Sequence, residues 1–233
     1  MLERRVGNLA HKLLAAVYYR WAFGSGSRVE RWALPRVRAW ERSTMRGDSP
    51  FEKPQWEEQF AAGRWDYLAA EEERYRSLAE LVARHRPGAR VLDVGCGAGP
   101  LVPALRAVGI ASYLGLDVSE VAVSRARRLE DGRTGFLAAD AESWTTDERF
   151  DAVIFNESLY YFEDPLGGAR RYGEFLRRPT VERPAGLLFL SMFCSRRSLA
   201  ILRQLERRFR TQESRELLGE RGGWRQVVLE PLP

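Results

Sequence analysis

Residues 91–100 of the chain read VLDVGCGAGP. The apolar run through Val94 predicts a buried strand, and the glycines that follow at alternate positions, Gly95, Gly97 and Gly99, predict a sharp turn. A backbone without side chains at these positions lets a ligand approach closely. The stretch therefore predicts that the first strand of an α/β sheet leads into a helix, with a ligand site at the loop between them.

The glycine spacing and one acid indicate the kind of ligand. The loop has the spacing G-x-G-x-G, whereas dinucleotide-binding loops have G-x-G-x-x-G. Asp93 precedes Gly95 by two positions, and a carboxylate there would repel a pyrophosphate. The ammonium group of an amino-acid sulfonium ligand could be held by this acid, directly or through water. The loop thus favours a cationic nucleoside ligand over a dinucleotide.

Apolar runs and helical patterns alternate along the rest of the chain. The predicted strands are Arg90–Val94, Tyr113–Asp117, Thr134–Ala138, Phe150–Phe155 and Gly186–Phe193, and the helices between them are Leu101–Val108, Glu120–Glu130 and Gly168–Arg177. This order predicts a mostly parallel sheet with helices on both faces. A terminal helix, Ser198–Arg210, and two weaker strand-like pieces, Gln212–Leu218 and Arg225–Leu229, predict an antiparallel edge.

Two further acids stand at the ends of predicted strands. Asp117 ends the second strand, 22 positions after Gly95, near the spacing at which an acid holds ribose hydroxyls in nucleotide-binding folds. Asp140, followed by Ala141 and Glu142, closes the third strand. Asp140 could accept from an adenine amino group, and the Ala141 amide could donate to a ring nitrogen. Helix capping is the alternative role for both aspartates.

Together these motifs resemble those of class I S-adenosylmethionine-dependent methyltransferases, over about residues 56–193. VLDVGCGAG resembles the first motif of that family, GLDVS the ribose motif, AADAE the adenine motif, and residues 150–162 the fourth motif. The segment 159–161 is similar to bacterial small-molecule methyltransferases close to the nodulation N-methyltransferases. The resemblance implies a Rossmann-like, doubly wound, seven-stranded sheet whose last strand is antiparallel. It also implies that S-adenosylmethionine is the cofactor, held by Asp93, Gly95, Cys96, Gly97, Gly99, Asp117, Val118, Asp140, Ala141, Glu142 and Asn156.

The methyl acceptor is expected where the fourth strand ends. Glu157 is the best candidate there, because it could accept a proton or hold an ammonium group or a sugar hydroxyl. Tyr160 and Tyr161 could line the pocket or, equally well, pack beneath the cofactor. The residues after them, 163–165, are predicted to form a turn and a helix entry. The expected acceptor is an oxygen or a nitrogen of a small molecule, in secondary-metabolite or saccharide biosynthesis.

An aromatic cluster precedes the predicted sheet. Its members, Trp56, Phe60, Trp65 and Tyr67, lie in or before a helical pattern that runs from Trp65 through Val82. The resemblance suggests an element that covers the cofactor and shapes the acceptor pocket, and ordinary packing on the body is as plausible. We therefore expect an aromatic-rich helical cap at residues 51–88, ahead of a methyltransferase domain at residues 89–233.

The first fifty residues are predicted to form a basic amphipathic helical extension. They contain ten Arg or Lys against four acids, so their net charge is +6, whereas the other 183 residues sum to −1. Helical stretches are predicted in residues 1–23 and at Val29–Trp40. A basic amphipathic helix at residues 1–46 could lie on a membrane surface. Packing on the domain, or on a second subunit in a homodimer, is the favoured alternative.

The amino-acid composition limits the classes of protein to which the chain can belong. The chain is 30% charged and 45% hydrophobic, as in globular proteins. Two cysteines and two histidines disfavour a disulfide framework, a zinc site and a Ser-His-Asp triad, so no metal is expected. We expect no secretory signal and no membrane span, and a cytoplasmic location.

Three other functions compete with methyl transfer to a small molecule. A nicotinamide-dependent oxidoreductase is disfavoured by the glycine spacing, by Asp93 and by the lack of a Tyr-x-x-x-Lys pair. A cofactor-binding partner without catalysis, which regulates another enzyme, is the second alternative. A nucleic-acid methyltransferase is the third, but NESL at residues 156–159 stands where an Asn/Asp-Pro-Pro-Tyr/Phe motif would be, so nothing supports a base-flipping pocket.

Overall fold

The computed structural model describes residues 13–23, 27–44, 53–182, 184–219 and 222–232. Seven strands form one sheet in the order β3-β2-β1-β4-β5-β7-β6. Neighbouring strands from β3 to β5 run parallel, and β7 is antiparallel to both β5 and β6. The strands are β1 (Arg90–Val94), β2 (Ser112–Asp117), β3 (Thr134–Ala138), β4 (Ala152–Asn156), β5 (Leu187–Phe193), β6 (Phe209–Gly219) and β7 (Gly222–Pro231).

Helices cover both faces of this sheet. They are α1 (Arg28–Thr44), α2 (Lys53–Ala61), α3 (Glu72–His85), α4 (Val102–Ala107), α5 (Glu120–Ala126), α6 (Pro165–Glu174) and α7 (Arg196–Leu205). Buried side chains of α3, α4 and α5 pack with one face of the strands, whereas those of α6, α7 and the N-terminal helices pack with the other. Each face of the strands is thus apolar, which explains their continuous apolar runs. The doubly wound, mostly parallel fold expected from the sequence is confirmed.

Several predicted helix ends are wrong for local reasons. Helix α6 begins at Pro165 and not at Gly168, because Asp164 Oδ1 accepts a hydrogen bond from Gly167 N at 2.9 Å and caps the helix one turn earlier. The turn and helix entry predicted for residues 163–165 are therefore confirmed. The helix predicted from Trp65 begins only at Glu72, since a 3₁₀ turn occupies the residues just before it.

The C-terminal strands are longer than predicted. β6 and β7 pair with each other from Phe209 opposite Pro231 to Gly219 opposite Gly222. This mutual pairing extends β-structure through polar residues whose pattern alone is a weak strand signal. The predicted helix 198–210 is correspondingly shorter and ends at Leu205.

The N-terminal extension is helical where the structure describes it. Residues 13–17 and the π-helical turn Tyr18–Ala22 precede α1. Tyr18 and Val37 are each 1% exposed and belong to the cluster that includes α6 and α7. On α7, Gln204 Nε2 donates to Phe23 O at 2.6 Å. Residues 1–12 of the predicted first helix lie outside the described residues. No helix in the described ranges is both long and apolar enough to cross a membrane.

Candidate functional site

A cleft of 1540 Å³ opens at the carboxyl ends of the central parallel strands. Its wall combines the loop after β1, the ends of β2 and β4, and the segment that contains α2. Parallel α/β sheets bind their ligands at this edge, where the strand order reverses. The volume exceeds the roughly 300–1,000 Å³ of a pocket for one drug-sized ligand. It therefore offers room for two molecules side by side.

The glycine loop forms the floor of this cleft. Gly95, Gly97 and Gly99 have φ angles of 78°, 55° and 78°, which L side chains rarely adopt. A Cβ atom on Gly95 would lie 2.5 Å from Ser158 Cβ, so this position excludes any side chain. Leu116 O on β2 accepts from the amides of Gly95 and Cys96, each at 2.8 Å, and this holds the loop beside β2. Gly97, Gly99 and Cys96 also line the cleft.

Asp117 lies in the wall beside the loop. Its Oδ2 accepts from Gly97 N at 2.8 Å, and its Oδ1 accepts from Ser119 N at 2.9 Å. Each carboxylate oxygen has a further lone pair that a ligand hydroxyl could use. Burial raises the pKa of Asp117 to about 6. The neighbouring Val118 lines the same wall.

Asp93 is a buried carboxylate beside the glycine loop, and its contact with a ligand ammonium group, directly or through water, stays a prediction. Side chains alternate along a strand, so Asp93 shares the face of Val91, on which Cys96 of the loop also packs. Asp93 Oδ2 accepts from Tyr113 Oη at 2.8 Å. Its buried Oδ1 has no hydrogen-bond partner among the described residues. Burial raises the pKa of Asp93 to about 7.

The segment after β3 lines the cleft on the far side of the loop. Asp140, Ala141 and Glu142 all belong to the wall. Asp140 Oδ1 accepts from Glu142 N at 2.8 Å, which closes a tight turn. Ala141 O accepts from Tyr172 Oη at 2.9 Å, so the turn is held against α6.

Glu157 is a half-buried residue at the end of β4. It is the one non-glycine residue with positive φ (61°) in the described ranges, a strained conformation typical of functional positions. Its Oε1 accepts from Phe193 N at 2.6 Å, and its Oε2 accepts from Tyr160 Oη at 2.9 Å. Burial raises the pKa of Glu157 to about 7, against the opposing charge of Arg74. Such a carboxylate is suited to accept a proton at neutral pH.

Arg74 is a site residue that the sequence analysis missed. Its side chain is 4% exposed and lines the cleft between Glu71 and Asn156. The guanidinium donates to Glu71 Oε2 at 2.6 Å and also to Asn156 Oδ1. The sequence did indicate that Arg74 is buried, because it lies four residues before Leu78 and thus on the same face of α3. A buried guanidinium with fixed partners holds Asn156 in one orientation.

Aromatic rings cover the cleft from the N-terminal side. Trp56, Phe60, Trp65 and Tyr67 all line it. The Trp56 ring packs edge-on against Tyr161 across the cleft, with 4.8 Å between ring centroids, and 5.7 Å separates it from Trp65. The predicted cap cluster therefore lies over the glycine loop. Tyr160 is buried and Tyr161 half-buried, so these tyrosines both pack and contribute to the wall.

Glu57 fastens this aromatic cover to the body, and the sequence analysis missed it as well. Its Oε1 accepts from Glu120 N at 2.7 Å, and its Oε2 accepts from Ser119 Oγ at 2.8 Å. Val121 N donates a third bond at 3.1 Å. The carboxylate thereby caps α5 two residues after Asp117. No local sequence pattern shows this contact, because it joins residues more than sixty positions apart.

The cleft thus brings the glycine loop, Asp117 and Glu157 together at the carboxyl edge of a doubly wound α/β sheet. Residues 64–226 match the family described as Methyltransferase domain, and the chain belongs to that family. S-adenosylmethionine, the cofactor expected from the sequence, is confirmed by this membership. The oxidoreductase alternative is not supported.

Named relatives are about one-third identical to this chain over the aligned residues. Nodulation protein S of Sinorhizobium fredii is 32% identical over 107 residues, which are 43% of this chain and 47% of that protein. Ubiquinone biosynthesis O-methyltransferase of Xanthomonas campestris pv. campestris is 36% identical over 110 residues, 45% of this chain and 43% of that protein. The chain thus aligns with less than half the length of these curated relatives.

Solved structures show the same fold at low sequence identity. The N-methyltransferase NodS from Bradyrhizobium japonicum, in complex with S-adenosyl-L-homocysteine, gives a TM-score of 0.60 at 19% identity over 70% of this chain and 88% of that chain. The 1,6-didemethyltoxoflavin-N1-methyltransferase of Burkholderia thailandensis gives 0.63 at 17% identity over 78% and 87%. These similarities support the fold alone.

The contact made by Glu57 gives a test of the aromatic cover. We expect Glu57→Gln to raise the Kd for S-adenosylhomocysteine about 10-fold, because an amide nitrogen cannot accept the bonds that hold α2 to α5. Calorimetry measures the Kd. Glu58→Gln is the matched control, since Glu58 is the exposed neighbour. Equal affinities in both variants would show that the cover does not depend on this carboxylate.

Proposed function

We propose that this protein transfers a methyl group from S-adenosylmethionine to a hydroxyl or amine of a small molecule, and that Glu157 accepts the proton released. The observation that carries the proposal is the Glu157 carboxylate, which Phe193 N and Tyr160 Oη hold in the same cleft as the glycine loop and whose pKa is raised to about 7. The printed names of relatives, which include trans-aconitate 2-methyltransferase and ubiquinone biosynthesis O-methyltransferase, support a small-molecule acceptor.

The residues of the cleft fit the cofactor. Gly97 and Gly99 leave the floor of the cleft without side chains, and Asp117 offers carboxylate lone pairs to ribose hydroxyls. We assign the adenine end to residues 140–142 and Val118. The Oδ1 atom of Asp93 has no hydrogen-bond partner among the described residues, and we propose that it holds the ammonium group, directly or through water.

Catalysis in this proposal rests mainly on positioning. When bound, S-adenosylmethionine supplies an electrophilic methyl group on a cationic sulfur. Phe193 N and Tyr160 Oη fix the two oxygens of Glu157, so that its carboxylate meets the acceptor in one orientation. The aromatic side chains of the cover and Tyr161 exclude water. Arg74 holds Asn156 between the two ends of the cleft.

The cofactor half of the proposal has its own test at Asp117. We expect Asp117→Asn to raise the Kd for S-adenosylhomocysteine roughly 10- to 100-fold, because the amide removes both the charge and one acceptor. In the native protein the affinity should fall as the pH decreases through about 6, where Asp117 gains its proton. Calorimetry across this pH range checks both expectations. A pH-independent Kd that Asp117→Asn does not change would refute the ribose assignment.

The transfer half is tested with labelled S-adenosylmethionine and a panel of small phenols, amines and sugars. Label that moves to an acceptor supports methyl transfer, and the position of the label separates oxygen from nitrogen. Binding of S-adenosylhomocysteine without transfer to any member or to a biosynthetic extract would favour the regulatory partner instead.

A further inference from the structure

The N-terminal helices, residues 13–23 together with α1, have one side packed on the body of the protein. Tyr18, Ala33 and Val37 are each 1% exposed. Arg203 Nη2 on α7 donates to Tyr19 O at 3.1 Å, beside the bond from Gln204 to Phe23. We call this unit the N-terminal hairpin. The hairpin packs on the domain, as the sequence favoured. Its opposite side therefore faces away from the domain.

Large apolar side chains remain exposed on both helices of the hairpin. Leu13 and Val17 are 59% and 57% exposed, and Val29 and Trp32 are 60% and 53% exposed. The first pair is spaced i,i+4 and the second i,i+3, so each pair forms a stripe along one side of its helix. Scattered exposed apolar residues are ordinary. Two such stripes within twenty residues are instead typical of a surface that contacts a partner.

Cationic side chains border these stripes. Arg28 and Arg36 are exposed on α1, and the Arg36 guanidinium lies over the Trp32 ring at 4.5 Å. Residues 1–50 carry a net charge of +6, whereas the rest of the chain sums to −1. Exposed aliphatic and indole groups beside arginines are the pattern of a helix that lies on a membrane surface.

We propose that the N-terminal hairpin docks on an anionic lipid surface. In this proposal the exposed side chains of Trp32, Leu13, Val17 and Val29 enter the lipid interface. Charge complementarity selects this occupant over a second copy of the chain. Another hairpin would meet this one with like charge, and a body of net charge −1 offers little to attract it. An anionic bilayer supplies both an apolar layer and a negative surface potential.

Vesicle sedimentation with the full chain tests this. The probes are vesicles of phosphatidylcholine alone and of phosphatidylcholine with about a third phosphatidylglycerol. We expect binding to the anionic vesicles at least about 10-fold stronger than to the neutral ones, and weaker binding as salt shortens the screening length from about 10 Å to 3 Å. The double variant Val29→Ser/Trp32→Ser should lose most of this binding.

Two further variants serve as controls for the vesicle experiment. Leu218→Ser removes an apolar side chain that is 89% exposed on β6, and it should bind vesicles like the native chain. Arg28→Glu/Arg36→Glu keeps the apolar stripes and should lose the preference for anionic lipid. Equal binding to both vesicle types, or unchanged binding by the Val29/Trp32 variant, would overturn the proposal. A dimer in sedimentation equilibrium that this variant dissociates would assign the surface to a second copy instead.

Discussion

Replacing Glu157 by Gln is expected to lower the rate of methyl transfer by about 10²- to 10⁴-fold, the usual contribution of a positioned general base. The amide is nearly isosteric with the carboxylate. Its oxygen can still accept from Phe193 N, and its nitrogen can donate to Tyr160 Oη once that hydroxyl rotates. The variant therefore keeps the geometry of the site but loses the negative charge that faces Arg74 and, with it, the ability to accept a proton. Its Kd for S-adenosylhomocysteine should stay within about a factor of two of native.

The pH profile separates this role from a merely structural one. Burial raises the pKa of Glu157 to about 7, so the carboxylate is protonated and inactive as a base below that pH. We expect kcat/KM of the native enzyme to rise with pH and to level off above about 7. This limb should disappear in Glu157→Gln, whereas Glu174→Gln, an exposed residue at the end of α6, should retain it.

A contrary result at Glu157 would be equally informative. If Glu157→Gln kept the native rate and pH profile, the acceptor would need no proton acceptor at this position. A neutral amine that loses its proton to solvent after transfer would fit that outcome. The measurement is steady-state turnover of labelled S-adenosylmethionine with the acceptor identified by the panel.

The parts of the site that the sequence predicted are those fixed by local rules. A glycine loop after an apolar strand and acids at strand ends follow from strand periodicity and from the common edge at which parallel strands finish. That reasoning located Asp117 and Glu157 at the cleft. It did not show which side of the sheet Asp93 faces, because a residue inside a strand faces one side or the other, and the apolar run at residues 91–94 is compatible with both.

Local rules of this kind could not predict contacts between residues that are far apart in the sequence. Glu57 reaches the start of α5, and Arg74 reaches Asn156 across 82 positions. Nothing in the spacing of either residue indicates its partner, since the partner is set by how α2 and α3 pack on the sheet. The length of β6 and β7 was missed for the same reason, because each strand is stabilised by pairing with the other and not by its own propensity.

The second large effect is expected at Gly95. Gly95→Ala places a side chain at φ 78°, which costs about 1–2 kcal/mol for a non-glycine residue. It also brings Cβ to 2.5 Å from Ser158 Cβ, and relief of that overlap must move either the loop or the end of β4. We expect a total loss of about 2–4 kcal/mol, which lowers Tm by roughly 5–15 °C. Binding of S-adenosylhomocysteine should be lost with it.

Gly88→Ala is the matched control for backbone strain alone. Gly88 also has a positive φ, 64°, but a Cβ there meets nothing within 4 Å. Its substitution should cost only the conformational part, about 1–2 kcal/mol, and should leave the cofactor affinity unchanged. Thermal unfolding and calorimetry on both variants give the comparison.

The overlap at Gly95 can be isolated with a double-mutant cycle, because the obstacle is a single side chain. Ser158→Gly removes it and also the hydrogen bond that Ser158 Oγ donates to Val94 O, so this variant alone should lose about 1 kcal/mol. In Gly95→Ala/Ser158→Gly the overlap is gone and the strain at φ 78° stays. We therefore expect the double variant to be more stable than the sum of the two single losses predicts, by about 1–2 kcal/mol. Strict additivity would mean that the loop tolerates a side chain by moving elsewhere, and that contact with Ser158 is not what requires glycine at this position.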